Sequence, residues 1–172
     1  MWIDVSKRSC RVGDEPIDVA AFVEARAEQI LSRTSEELAR AHLAHYEATG
    51  RGPTTDRLRA LLDLLVGCCR SHRLSPAEEY AVSLAADRRG SGYPLAEVQT
   101  AINVLEEAVW AAVLEDVAAE DQGYVLGMVS TVLGAVKDRL ACAYVAQITS
   151  HDTPTLRLDY LFAGTEGLVG PS

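Results

Sequence analysis

From about residue 17 to about residue 149 the chain keeps a single apolar period, that of the α-helix, and no other feature restricts its fold as much. Val19, Phe22, Val23, Ala27, Ile30 and Leu31 recur at i, i+3, i+4, i+7 spacing, with only Arg26 polar on that stripe, which predicts a helix over about 17–33. Thr34 followed by Glu37 reads as a capping box, so a second helix is expected over about 35–49, ended by Gly50, Gly52 and Pro53. A third, about 54–73, carries Leu58, Leu61, Leu62, Leu65, Cys68, Cys69 and His72 on one stripe. Ser75-Pro76-Ala77-Glu78 starts a fourth, running to about Arg89. Ser is a good N-cap, Pro suits the first helical position, and Glu three residues on completes the box.

Gly90-Ser91-Gly92 breaks the chain, and Pro94 opens a fifth helix to about residue 118. Here Leu95, Val98, Ile102, Leu105, Val109 and Ala112 repeat at 3-4-3-4-3 spacing, a coiled-coil-like seam. The sixth helix, about 120–149, has Val125, Met128, Val129, Val132, Val136, Leu140, Ala143 and Tyr144 on its apolar face. Gly127 and Gly134 inside it each cost about 1 kcal/mol against Ala. They serve either a close helix approach or nothing more than tolerant positions. The expected class is all-α, a bundle of about six helices with two long C-terminal ones. Helices of that length need apolar partners along their whole extent, inside one bundle or across a dimer.

Outside this helical domain (17–149) the pattern changes. Residues 1–16 form an N-terminal extension in which Ile3 and Val5 alternate with polar neighbours, and 150–172 form a C-terminal tail. In the tail Leu156, Leu158, Tyr160 and Phe162 alternate with a period of two, as in a short strand or a docking tail. Hydrophobic residues make up 48% and charged residues 24%, the profile of a soluble globular chain. Against 16 Lys+Arg stand 25 Asp+Glu, a net charge of −9 that argues against broad nucleic-acid or anionic-membrane binding. The longest uncharged run, Gln122 to Val136, falls short of the about 20 apolar residues a spanning helix needs. The N-terminus has no secretory pattern, so the expected location is cytoplasmic, with Cys10, Cys68, Cys69 and Cys142 as reduced thiols.

Nucleotide-loop, nucleophile-elbow and zinc-protease motifs are missing, and no catalytic residue, metal or cofactor is assigned. Cys68, Cys69 and His72 lie within about one helical turn and could supply part of a metal site, completed by His42 and His45, or a reactive thiol, with Arg70 and Arg73 near enough to lower its pKa if it is partly exposed; the plainer reading is that the two cysteines are small core residues. His42 and His45 also raise haem ligation, against solvated or interface positions. The acidic pairs Glu36-Glu37, Glu78-Glu79, Glu106-Glu107 and Glu120-Asp121 read as caps and solvated faces. Arg88-Arg89 either holds an anion or a partner's carboxylate, or ends a helix where cations offset the dipole.

The stretch Leu84 to Trp110, with Arg88, Arg89, Gly92, Tyr93, Leu95, Glu97, Val98 and Leu105 at the matching places, resembles the N-terminal domain of RsbR/RsbRD-type proteins. The resemblance covers about residues 17–148 and consists of turn chemistry plus helix pattern. It implies a globin-like all-α fold without haem, a homodimer, and a sensory or protein-interaction role in bacterial-type stress-response signalling, typically ahead of a STAS domain. About 22 residues follow Ser150, so no STAS domain is expected here. The resulting expectation is a non-enzymatic, cytoplasmic sensory module that pairs through its long helices and binds an unknown regulatory protein. Val109→Glu or Leu105→Glu should then break the dimer or the fold. The alternative is a thiol- or metal-responsive ligand-binding protein using Cys68, Cys69 and His72.

Overall fold

Spacing of apolar side chains every three to four residues leaves helix as the only way to bury them together, and helix is what forms. The computed structural model describes residues 17–152, of which 88% are helical, with no strand among them. In chain order the helices are α1 (Val19–Ala25), α2 (Ala27–Arg40), α3 (Ala44–Thr49), α4 (Arg51–Ser71), α5 (Ser75–Gly90), α6 (Leu95–Asp116) and α7 (Ala119–Asp152). None is long and apolar enough to cross a membrane. The expected extension 1–16 and the alternating segment 155–162 lie outside the described residues, while residues 150–152 belong to α7 rather than to a tail.

Several boundaries differ from those expected, each for a local reason. The first expected helix divides at Arg26, whose φ of −107° and ψ of 4° are not helical. No boundary exists at Thr34. That side chain is fully buried, and its hydroxyl donates to the Ile30 carbonyl at 2.7 Å inside α2 instead of capping a new helix. The break comes later, at Ala41–Leu43, where His42 takes φ 49°. Gly50 joins α3 to α4 at φ 84° and ψ 165°, a combination that essentially only glycine adopts. Gly52 and Pro53 fall in the first turn of α4, where an amide N–H is not required. At α5 no side-chain hydrogen bond caps the helix, so the Ser75–Glu78 box does not form, although Pro76 sits in the first turn as expected.

α7 forms the spine, lying along both α5 and α6; α2 covers α6, and α1 covers α4. The seam of α6 is spent inside this assembly. Val98, Ile102, Leu105, Val109 and Ala112 are buried in one core cluster with Ile30, Leu31, Val129 and Leu133. Leu105 and Val109 therefore serve the fold of one chain, and a dimer through this seam would require the core to open. An added Cβ at Gly127 or Gly134 meets nothing within 4 Å, so neither glycine permits a close approach among the described residues. Glu106 departs from the solvated pair expected at 106–107: it is 6% exposed and accepts from Lys137 Nζ at 2.6 Å, while Lys137 also donates to Asn103 Oδ1 at 3.1 Å. Glu107 is exposed as expected.

Candidate functional site

Ala77, Ala81 and Ala85 recur every four residues along α5, and all are fully buried. This stripe of small side chains brings α5 close to its neighbours and carries Arg88, eleven residues after Ala77, onto the same inward face. Arg88 is 3% exposed. Adjacent helical residues point about 100° apart, so Arg89 is only half-buried and the expected basic doublet divides between core and surface.

The end of α5 completes the site. Gly92 takes φ 81°, its N–H donates to the Arg89 carbonyl at 2.9 Å, and the Tyr93 N–H reaches back to the Arg88 carbonyl at 2.9 Å. This is the left-handed glycine termination in which the residue after the glycine folds back over the last turn. Tyr93 thereby lays its ring over Arg88, with the guanidinium carbon 5.1 Å from the ring centroid, a cation–π contact.

Tyr93 is in turn held from several sides. Arg57 Nη1 of α4 donates to its hydroxyl at 3.4 Å. The same hydroxyl is hydrogen-bonded to Thr49 and lies 3.2 Å from the His45 carbonyl. The Tyr144 hydroxyl of α7 donates to its backbone carbonyl at 3.3 Å. His45 is fixed by Glu97 of α6, through Nδ1 to Oε1 at 3.0 Å and through its backbone N–H to Oε2 at 3.2 Å. Five helices, α3 to α7, thus meet at one turn.

The guanidinium itself is left short of partners. Among the described residues its Nε and Nη1 are buried without a hydrogen-bond acceptor. The exposed side chain of Asp87 places Oδ2 3.4 Å from Nη1, close enough for charge attraction but without the alignment of a hydrogen bond. Buried N–H groups without an acceptor are uncommon, and most costly when they carry charge. Beside Arg88 lies a cavity of about 30 Å³ whose polar wall is Tyr46, Thr54, Arg57 and Tyr80, the rest being aliphatic side chains of α4, α5 and α6. No carboxylate among the described residues lines it. Burial pushes the Tyr46 phenol up to about 12, against the opposing pull of Arg88, and burial likewise raises Tyr80. Both are neutral phenols at pH 7 and cannot balance the arginine charge. The Thr54 hydroxyl is committed to the Gly50 carbonyl at 2.9 Å. A second pocket, about 320 Å³, opens between α2, α3 and α4 and shares Tyr46 and Thr54 as walls.

The cysteine–histidine group is arranged differently. Cys68 and Cys69 are buried, and burial raises both thiols, Cys69 to about 11. His72 is exposed at the end of α4 in the left-handed conformation, φ 52° and ψ 38°. Cys69 and His72 border a common cleft of about 240 Å³ with Asp18 and Tyr124, but Cys68 does not. Arg70, next to Cys69 in the chain, pairs with Glu24 at 2.6 Å. His42 is exposed and 3.0 Å from Glu47, while His45 belongs to the Tyr93 network. Among the described residues no group of three or more His, Cys, Asp or Glu is placed to hold a metal ion. Cys142 is exposed, and Cys10 lies outside the described residues.

Sequence reasoning reached Arg88 as half of a surface doublet and missed its burial and the roles of Tyr46, Arg57 and Tyr80. The alanine stripe at 77, 81 and 85 is the signal that pointed inward. Compared with known proteins, the chain matches no family model and no curated protein.

Proposed function

We propose that the chain is a non-enzymatic sensory and protein-interaction module of a stress-response signalling system, globin-like without haem, acting in the cytoplasm as a homodimer that engages a regulatory protein. The observation that supports this reading is Arg88, an enclosed cation with free donors beside a cavity whose wall draws on α3, α4 and α5. An occupant there alters the balance of forces where several helices meet. A ligand that favours one helix arrangement over another shifts the population toward it, which is the elementary act of a sensor. Arg88, Gly92 and Tyr93 also belong to the segment that carries the resemblance to RsbR/RsbRD-type domains.

For pairing, the outer face of α6 offers Trp110 and Leu114 one turn apart, Leu114 being 59% exposed. Exposed apolar surface of this kind suits a second copy better than solvent. The test is sedimentation velocity on the intact chain and on Leu114→Glu. The expected result is a dimer that becomes a monomer with unchanged helical circular dichroism in the variant. A wild-type chain that stays monomeric up to hundreds of micromolar would overturn the homodimeric module. The reading through Cys68, Cys69 and His72 has less in its favour, because burial keeps both thiols protonated at neutral pH.

A further inference from the structure

We infer that the cavity beside Arg88 is a binding site for a small monovalent anion, either a free ion of the size of chloride or formate or the carboxylate head of an organic acid. The use of such a site as a signal rests on the sensory reading, whereas the binding itself does not.

Three observations carry the inference. The first is a weakly balanced charge. Arg57 and Arg88 both border the cavity, no carboxylate among the described residues does, and the phenols of Tyr46 and Tyr80 are neutral. The carboxylate beside Arg88, that of Asp87, lies 3.4 Å from Nη1 without hydrogen-bonding it and is itself 61% exposed, so water screens its attraction for the buried cation. The second is the unfilled donors, Nε and Nη1, on a side chain that lines the cavity. Water would satisfy the hydrogen bonds but leave the charge; an anion satisfies both, and charge-assisted hydrogen bonds are about twice as strong as neutral ones.

The third is size. A water requires roughly 10–15 Å³ of such space, so a cavity of about 30 Å³ accommodates about two waters, one halide or a formate-sized group. A tetrahedral dianion is too large, and its second charge would meet no second enclosed cation, since Arg57 is only half-buried. The neighbouring pocket of about 320 Å³, which shares Tyr46 and Thr54, offers room for the body of an organic acid whose head reaches Arg88. Both sources present the same monovalent oxygen or halide acceptor.

The experiment is a titration of the intact ¹³C,¹⁵N-labelled chain, followed through the arginine Nε–H resonances, with Arg88 assigned through bonds from its own backbone and checked by its loss in Arg88→Met. Sodium chloride, formate, propionate and pentanoate are added at constant ionic strength, with sodium methanesulfonate, a bulkier monovalent anion, as the balancing salt. The expected result is a saturable shift of the Arg88 Nε–H with chloride and formate. Saturation by formate and chloride alone assigns the free ion, and equal or tighter saturation by propionate or pentanoate assigns the acid head. Arg57→Gln should weaken the response several-fold while leaving the rest of the spectrum in place, so the test does not depend on Arg88→Met folding. Shifts that stay linear for every anion, or an unchanged titration in Arg57→Gln, would overturn the site. That failure would leave the sedimentation result untouched, and a monomeric chain would leave the titration untouched.

Discussion

Replacing Lys137 by Met tests an enclosed ion pair between α6 and α7, Lys137 with Glu106. Methionine keeps the unbranched stem and removes the ammonium. Glu106 then loses its donor at 2.6 Å while its side chain remains 8% exposed. Breaking a fully buried pair costs about 3–5 kcal/mol because the remaining charge is stranded. The Lys137 side chain is 27% exposed, so water tempers the loss and a cost of about 2–3 kcal/mol is expected. For a chain of this length that lowers the melting temperature by about 5–10 °C. The double variant Glu106→Leu with Lys137→Met removes both charges and should return to within about 1 kcal/mol of the wild type, because apolar replacement of a buried pair is often neutral. Urea unfolding of the four proteins at pH 7 completes a double-mutant cycle, with an expected coupling of about 2 kcal/mol. A coupling near zero, or a Lys137→Met cost below about 0.5 kcal/mol as for an exposed pair, would refute the claim that Glu106 depends on this partner.

Tyr93→Phe keeps the ring over Arg88 but removes the hydroxyl that meets Thr49, Arg57 and the His45 carbonyl. It should cost about 1–2 kcal/mol in urea unfolding, and an unchanged midpoint would show that these bonds hold nothing. Stability should fall at alkaline pH. Burial holds the Cys69 proton from the ordinary 9 up to about 11 and the Tyr46 proton from 10 to about 12. The folded chain therefore binds more protons than the unfolded one in this range, and stability, complete below about pH 9, is lost as the pH rises through about 11–12. Thermal melts from pH 8 to 11 test this, with Cys69→Ala removing the earlier part of the slope. Backbone strain gives opposite signs at two turns. His72→Gly relieves a left-handed residue and should stabilise by about 0.5–1 kcal/mol, whereas Gly50→Ala, at φ 84° and ψ 165°, should cost about 1–3 kcal/mol. Calorimetric midpoints that move together would contradict the assignment.

How much of this was readable without coordinates follows from the range of each force. The all-α class rests on spacing within a few residues, which local physics decides, and all seven helices fall in stretches read as helical, with the boundaries rather than the class misplaced at Arg26 and Thr34. The short α3 was merged with its neighbour because Thr34 and Glu37 form a plausible cap on paper. The competing acceptor, the Ile30 carbonyl, is available only once the helix continues. The seam of α6 was correctly apolar, yet spacing alone does not say whether its partner is α7 of the same chain or a second copy. Arg88 was the harder case. Charged side chains are rarely enclosed, and its neighbours Tyr46 and Arg57 are 42 and 31 residues away in the chain. Only the alanines at 77, 81 and 85 hinted that this face of α5 points inward.

α3 has no buried residue, spans six residues, and is bounded by left-handed backbone at His42 and Gly50. Its links to the bundle include the His45–Glu97 pair, the hydrogen bonds of Thr49 and the His45 carbonyl to Tyr93, and the half-buried Tyr46, whose ring meets Tyr93 edge-on. Segments with so little apolar anchoring open at a fraction of the global unfolding free energy. Its amides should therefore exchange with deuterated solvent long before those of α6 and α7. Because Tyr46 walls both pockets, that local breathing also sets how fast a solute reaches Arg88. Affinity at the proposed anion site and the rate of entry to it should then respond to different substitutions, the first to those in α4 and α5, the second to those at the left-handed positions 42 and 50.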